Sequence, residues 1–356
     1  MLLRRYGDTD FITGLRAIAA LMVVAVHTRA FDGLGPIGEI ASDNGKYGVQ
    51  IFFVISGYTI AATYLKAGAF APYFIRRLLR IAPLYYIAVL VFFVLIASGA
   101  MVAPYFMQLY GSRADAYNLL AHLSFLSAFD ARVANSLIGV EWTIPIEIFW
   151  YAVLPFLLAW RLSPRSFAGM FLALLVLSGL TRLVGELWLP KHAAHFLPMT
   201  YGAYFFLGAW CHHQRAKLRD DMGFNRGRWQ MAGYALFALA LLTKTGMSAA
   251  LMALATAIII VSYRVREGRM QWLRSRGFVL VGSVSYSIYL WHLLVIYLLI
   301  GGLGERYVAM PGLMKFAVVS VLTILLSILS YLVIERPTNA AGHRLSKRYE
   351  EARSPA

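Results

Sequence analysis

The sequence predicts an all-α, polytopic membrane bundle of about ten transmembrane helices with both termini in the cytoplasm. Three observations predict it. Of 356 residues, 60% are hydrophobic and only 14% charged, against about 45–50% apolar and about 25% charged in a soluble domain. Apolar runs of about 20 residues, the length that crosses a bilayer as a helix, recur along the chain. The 33 Lys and Arg fall between those runs with an alternating bias. With half the usual charge, a chain of this size cannot cover a water-facing surface. That excludes a soluble enzyme, a disordered tail protein and a secreted disulfide scaffold. The single cysteine, Cys211, allows no internal disulfide. A net charge of +16 would suggest nucleic acid in a soluble protein. Here the basic residues flank apolar runs, so membrane lipids and not nucleic acid are the expected partner.

The expected spans run 11–28, 47–65, 83–102, 143–160, 166–185, 197–212, 229–245, 248–263, 279–300 and 313–334. Only Lys244, Thr245 and Gly246 punctuate the 229–263 stretch, so it is a tight hairpin or a single span. An N-terminus inside leaves only Arg29, Lys46, Arg113, Arg132, Arg182, Lys191, Lys244, Arg306 and Lys315 outside. Most other basic residues, from Arg4 and Arg5 through Arg161, Arg219, Arg264, Arg266 and Arg269 to Arg353, then lie inside. An odd number of spans would scramble this bias. The first span is not a cleavable signal: Asp8 and Asp10 precede it, Arg16 lies within it and no small-x-small site follows. Residues 1–337 therefore read as one transmembrane domain. Residues 338–356 read as a polar cytoplasmic tail, a frayed and partly helical end. The segments at 29–46 and 103–142 are the outer loops long enough to shape a pocket.

Ionisable groups inside a membrane cost at least about 2.5–3.5 kcal/mol at the bilayer centre, so they are functional candidates by default. Arg16 and His27 lie in TGLRAIAALMVVAVHT. Eleven residues at about 100° each return within about 20° of the same face, about 16.5 Å further along. Ala20 and Val23 lie between them and would leave a groove. Taken alone, the pair also fits a snorkelling Arg and a His capping a helix end. Glu147 follows Pro145 in the fourth span, which would open the helix there and set the carboxylate at the depth of His27. A carboxylate beside an imidazole fixes its tautomer; pairing with a structural Arg is the other reading. Glu141, nearer the outer interface, is expected to be solvated, with the alternative that it is the partner in place of Glu147. In the ninth span Ser285, Ile288, Tyr289 and His292 share a face, where a lone His is usually a packing residue. Arg76, Arg77 and Arg80 cluster just before Pro83. They can clamp phosphates or touch anionic headgroups. Ser56 and Gly57 interrupt a bulky run and suggest a close helix approach or a pocket wall. Neither metal-ligand spacing, nor a Walker motif, nor a nucleophile elbow stands out.

Together these pieces resemble the bacterial integral-membrane acyltransferase family 3, which O-acylates cell-surface polysaccharides. The resemblance runs from Phe11 to Pro337. It rests on Arg16 with His27 eleven positions on, the Gly48–Gly57 run, and the basic block of Phe74, Arg76, Arg77, Arg80 and Pro83. It continues through Trp142, Thr143, Ile144, Glu147 and Tyr151, then Tyr289 to His292, and Glu335 with Pro337. Two positions depart from the pattern around Glu147: Trp150 replaces a Phe, and Ile148 stands where many members carry a second acid. No fused extracytoplasmic hydrolase-like domain is expected, so any second transfer step would need another protein.

The resemblance implies an O-acetyltransferase of the bacterial inner membrane. Its donor would be acetyl-CoA or another acyl-CoA from the cytoplasm, and its acceptor a cell-surface or lipid-linked saccharide, with no metal. Arg76, Arg77 and Arg80, with Arg16 deeper in, would hold the donor's phosphates. The pantetheine arm would follow the Ala20–Val23 groove to His27. His27 would act as general base on a sugar hydroxyl, oriented by Glu147. Tyr151 would stabilise the oxyanion, and Trp142, His292 and Ser56 would line the substrate site. An acyl-His27 intermediate is the alternative to direct attack. A proton-coupled transporter or flippase would use the same buried Arg, His and Glu.

Overall fold

A computed structural model describes residues 9–159, 163–217, 225–263 and 271–352. Arg4, Arg5, Arg161, Arg219, Arg264, Arg266, Arg269 and Arg353 lie outside the described residues, as does the last part of the expected tail. Among the described residues every regular element is a helix. Six segments are long and apolar enough to cross a membrane: Asp10–Thr28, Asp32–Ala67, Phe70–Ala97, Arg165–Trp188, Ser285–Leu303 and Gly312–Glu351. Each expected span meets a helix, but four of those helices are short. Thr143–Ala159 and Arg226–Leu242 have 17 residues, Gly202–Lys217 has 16 and Ser248–Ser262 has 15. At 1.5 Å per residue they reach about 22–26 Å, less than the roughly 30 Å hydrocarbon core.

The chain divides into two compact units, Met1–Tyr58 with Leu207–Ile328, and Thr59–Phe206 with Leu329–Ala356. In the first, the Asp10–Thr28 helix is the hub. It packs against Arg276–Ser283 and Ser285–Leu303. Small residues let backbones meet there, as membrane packing without a hydrophobic driving force requires. A Cβ on Gly282 would overlap the Thr13 carbonyl, and one on Gly48 would lie 2.5 Å from the Ala19 oxygen. The expected 279–300 span is thus two helices that break at Val284. The close approach expected near Ser56 and Gly57 is present: a Cβ on Gly208 would overlap the Val54 carbonyl. Arg226–Leu242 and Ser248–Ser262 form the tight hairpin, tied by Gln230 donating to the Ser262 carbonyl at 3.1 Å. The Asn44 amide donates to the carbonyls of Ala240 (3.1 Å) and Thr243 (2.8 Å). It thereby satisfies groups left open where Arg226–Leu242 ends.

In the second unit the Phe70–Ala97 helix has 28 residues and contains Pro83. The expected span began at 83. Instead the basic block forms the early turns of one continuous helix, about 42 Å long by its rise, so its first turns outrun the apolar slab. The Arg336–Glu351 helix packs along it, with Gly342 against Leu79 and Arg76 3.4 Å from Glu350. This segment was expected to fray; burial of Gly342 and Ser346 explains why it does not. Pro145 lies in the first turn of Thr143–Ala159, where a missing N–H breaks no intrahelical bond. It therefore starts the helix rather than opening it. Glu141 also departs from expectation, being 0% exposed. Its carboxylate accepts from the N–H groups of Leu137 (2.7 Å) and Gly139 (2.6 Å) and lies 3.3 Å from His122 Nε2. Residues 134–138 are an irregular segment buried in protein, and a carboxylate supplies acceptors the chain cannot. On the exposed side of this loop Arg132 donates to Asp130 at 2.7 Å and pulls its carboxyl down to about 2. That pair stays charged through the neutral range.

The packing at Gly282 sets a test. Gly282→Ala should lower the melting temperature of the detergent-solubilised protein by several degrees, the effect of about 1–3 kcal/mol of overpacking. Gly301→Ala, with open space around it, should not lower it. Equal melting temperatures would contradict the close approach.

Candidate active site

Two rungs join the Asp10–Thr28 and Ser285–Leu303 helices. At the lower rung Arg16 Nε donates to Ser285 Oγ at 3.1 Å, and its guanidinium carbon sits 5.7 Å from the Phe52 ring centroid. Ser285 is available because the helix restarts there after the Val284 break. At the upper rung His27 meets His292, with Nδ1 and Nε2 3.2 Å apart and ring centroids at 4.9 Å. The shared face expected for Arg16 with His27, and for Ser285 with His292, is thus the face that each helix turns to the other. Phe52 closes the side, its ring 6.2 Å from Tyr289.

The backbone sets the protonation of both imidazoles. His27 Nδ1 lies 2.8 Å from the Val23 carbonyl oxygen. A carbonyl can only accept, so the proton is on Nδ1 and Nε2 carries a lone pair. His292 Nδ1 lies 2.8 Å from the Tyr289 carbonyl and 3.1 Å from that of Ile288. Its proton is on Nδ1 as well, which leaves its Nε2 an acceptor facing His27. His292 is fully buried, whereas His27 is exposed at the end of its helix. Ala20 and Val23, expected to leave a groove, are both buried.

Glu147, Tyr151, Trp142 and the arginine block belong to the second unit. Tyr151 donates its hydroxyl proton to Glu147 at 2.5 Å. The phenol expected at an oxyanion is committed to that carboxylate. Arg77 is buried; it donates to the Thr59 carbonyl at 2.5 Å and to Thr63 Oγ1 at 2.8 Å, with its guanidinium 5.2 Å from the Tyr151 ring. Its fork fastens the Gly48–Ala67 helix to the Phe70–Ala97 helix. Arg76 donates to the Pro72 carbonyl at 3.0 Å and, like Arg80, is half-buried. Ser56 is buried beside the Gly208 contact.

Trp142 packs against His195 with the rings tilted and their centroids 4.4 Å apart, and lies 5.5 Å from Tyr201. Tyr201 donates to the His195 carbonyl at 2.9 Å, so its oxygen accepts from His195 Nδ1 at 3.0 Å. A cavity of about 490 Å³ beside them is lined by Arg182, Glu186, Lys191, His192, His195 and Thr200. Neither His195 nor Tyr201 was legible in the sequence. Their pairing depends on the bend at 196–198, which no spacing rule reports. No group of three His, Cys, Asp or Glu side chains suited to a metal occurs among the described residues.

The Arg77 geometry sets a second test. Arg77→Ala should destabilise the protein by about 2–4 kcal/mol, because it leaves buried acceptors unpaired. Arg80→Ala should cost much less. Thermal melting of the two variants checks this, and similar losses would contradict the structural role of Arg77.

Comparison with known proteins gives the family. The acyltransferase domain family Acyl_transf_3 matches residues 9–332. Nodulation protein 10 of Rhizobium leguminosarum bv. viciae is 26% identical, the match covering 84% of this chain and 85% of the relative. The exopolysaccharide production protein ExoZ of Rhizobium meliloti (strain 1021) is 27% identical, over 84% of this chain and 90% of the relative. An O-acetyl transferase of Shigella phage Sf6 is 26% identical, over 54% of this chain and 59% of the relative. No solved structure matches the chain. A family match over nearly the whole length of a helical chain makes it a member of the acyltransferase 3 family and an acyltransferase.

Proposed function

We propose that this enzyme moves an acetyl group from acyl-CoA to a hydroxyl of a cell-surface or lipid-linked saccharide. It does so in the bacterial inner membrane, with ten spans and both termini in the cytoplasm. The observation that carries the reading is His27: its Nδ1 proton is held by the Val23 carbonyl, so an exposed Nε2 lone pair is ready to take a proton. ExoZ, a relative over most of its length, is named for exopolysaccharide production, and the phage relative is named an O-acetyl transferase. The first name supports a saccharide acceptor and the second supports acetyl transfer to oxygen.

In this mechanism Nε2 of His27 removes the hydroxyl proton while the oxygen attacks the thioester carbonyl. The carbon–sulfur bond then breaks, and the imidazolium returns the proton to the leaving thiolate. Arg76 and Arg80 hold the donor's phosphates, with Arg77 fixing the helices that carry them. Arg16, anchored on Ser285, supplies a further positive charge one rung below the base. The thioester reaches His27 from the exposed side of its ring. Glu147 and Tyr151 form a hydrogen-bonded acid pair that orients polar groups of the substrates. Trp142 and the cavity beside His195 receive the saccharide, because an indole face and surrounding polar groups suit a sugar ring.

Two outcomes test the reading. His27→Ala should abolish acetyl transfer from radiolabelled acetyl-CoA to membrane glycan, with protein amount and membrane insertion unchanged. A full rate would remove His27 from the chemistry. Arg76→Ala and Arg80→Ala should raise the apparent KM for acetyl-CoA about tenfold and leave acceptor use unchanged. An unaltered KM would reject the phosphate clamp.

A further inference from the structure

We infer that His292 is a positioning residue that acts through His27, its unprotonated Nε2 accepting the Nδ1 proton of His27 throughout the reaction. The inference rests on the proposed role of His27 as base, but its geometry stands apart from that reading. His292 cannot be protonated on Nε2 without pointing an N–H at the N–H of His27, 3.2 Å away. Two backbone carbonyls, of Ile288 and Tyr289, hold its other nitrogen as the donor. Full burial keeps water from competing. The His27 Nδ1 proton is therefore shared between the Val23 carbonyl at 2.8 Å and His292 Nε2 at 3.2 Å.

When His27 Nε2 takes a proton, positive charge spreads over the ring and Nδ1–H becomes a stronger donor. Two acceptors already point at it, and neither has to reorganise. In a serine hydrolase a carboxylate fills this place. Here a neutral imidazole and a carbonyl fill it, and no anion has to be buried in the apolar part of the protein. No proton leaves the pair: His27 gains one from the alcohol and yields it to the thiolate, while His292 keeps the one it has. The sequence offered His292 as a packing residue or a substrate contact. Its distance to His27 makes it neither in the first instance.

The length of two amides separates this role from packing. A glutamine side chain places its terminal oxygen near the position of His Nε2, and an asparagine near Nδ1. His292→Gln should keep an acceptor facing His27. His292→Asn should keep a polar group at the Ile288 and Tyr289 carbonyls but withdraw the acceptor. His292→Leu repeats the loss if the Asn variant does not fold, as judged by its melting temperature. The first readout does not need acyl transfer: the rate at which diethyl pyrocarbonate modifies His27 in the full-length protein, mapped by peptide mass spectrometry. The Asn variant should react about tenfold more slowly than wild type and the Gln variant within about twofold of it. The second readout is kinetic. The Asn variant should lose about 10- to 100-fold in kcat with an unchanged KM for acetyl-CoA, and the Gln variant should recover most of that loss. Equal modification rates for wild type and the Asn variant, or a Gln variant as slow as Asn, would overturn the role of His292. A wild-type protein that shows the modification pattern but transfers no acetyl group would overturn the proposed function and leave the histidine pair standing.

Discussion

The contact between His27 and His292 ties the Asp10–Thr28 and Ser285–Leu303 helices together. The imidazole of His27 donates to the Val23 carbonyl, one turn back in its own helix. The Ser285–Leu303 helix brings a second acceptor, Nε2 of His292, within 3.2 Å of the same nitrogen, and Arg16 donates to Ser285 seven residues earlier on that helix. The close backbones at Gly282 and Gly48 let these elements approach near enough for short polar contacts.

The same economy governs polar groups in the second unit. In a lipid environment each buried backbone donor must find an acceptor inside the protein. The irregular segment before the Thr143–Ala159 helix solves this with Glu141, which collects two N–H groups and faces His122. Arg77 does the converse for a carbonyl at Thr59.

Much of this was legible in the sequence. Run length and charge segregation located helices at every expected span, and helical spacing put Arg16 with His27 on one face and Ser285 with His292 on another. The hairpin around Gly246 followed from a three-residue interruption. The parts that were not legible depend on distance across the fold. Spacing rules see one helix at a time, so they left His292 as a packing residue or a substrate contact and did not bring it to His27. The third span was started at Pro83 and Pro145 was read as opening its helix, but a proline's effect depends on its position in the helix. Pro145 lies where no N–H is needed, and Pro83 sits inside a long helix. Glu141 was assigned to solvent by its nearness to an expected loop. That loop is buried, and burial is a property of what packs over a segment.

Nitrogen-15 spectroscopy of histidine-labelled protein in lipid bilayers tests the central claim most directly, since it reads the proton on each ring nitrogen of His27. The account predicts a protonated Nδ1 coupled to His292 and an unprotonated Nε2 at neutral pH. A resting His27 with its proton on Nε2 would contradict it, because the base would then have no lone pair to offer an alcohol.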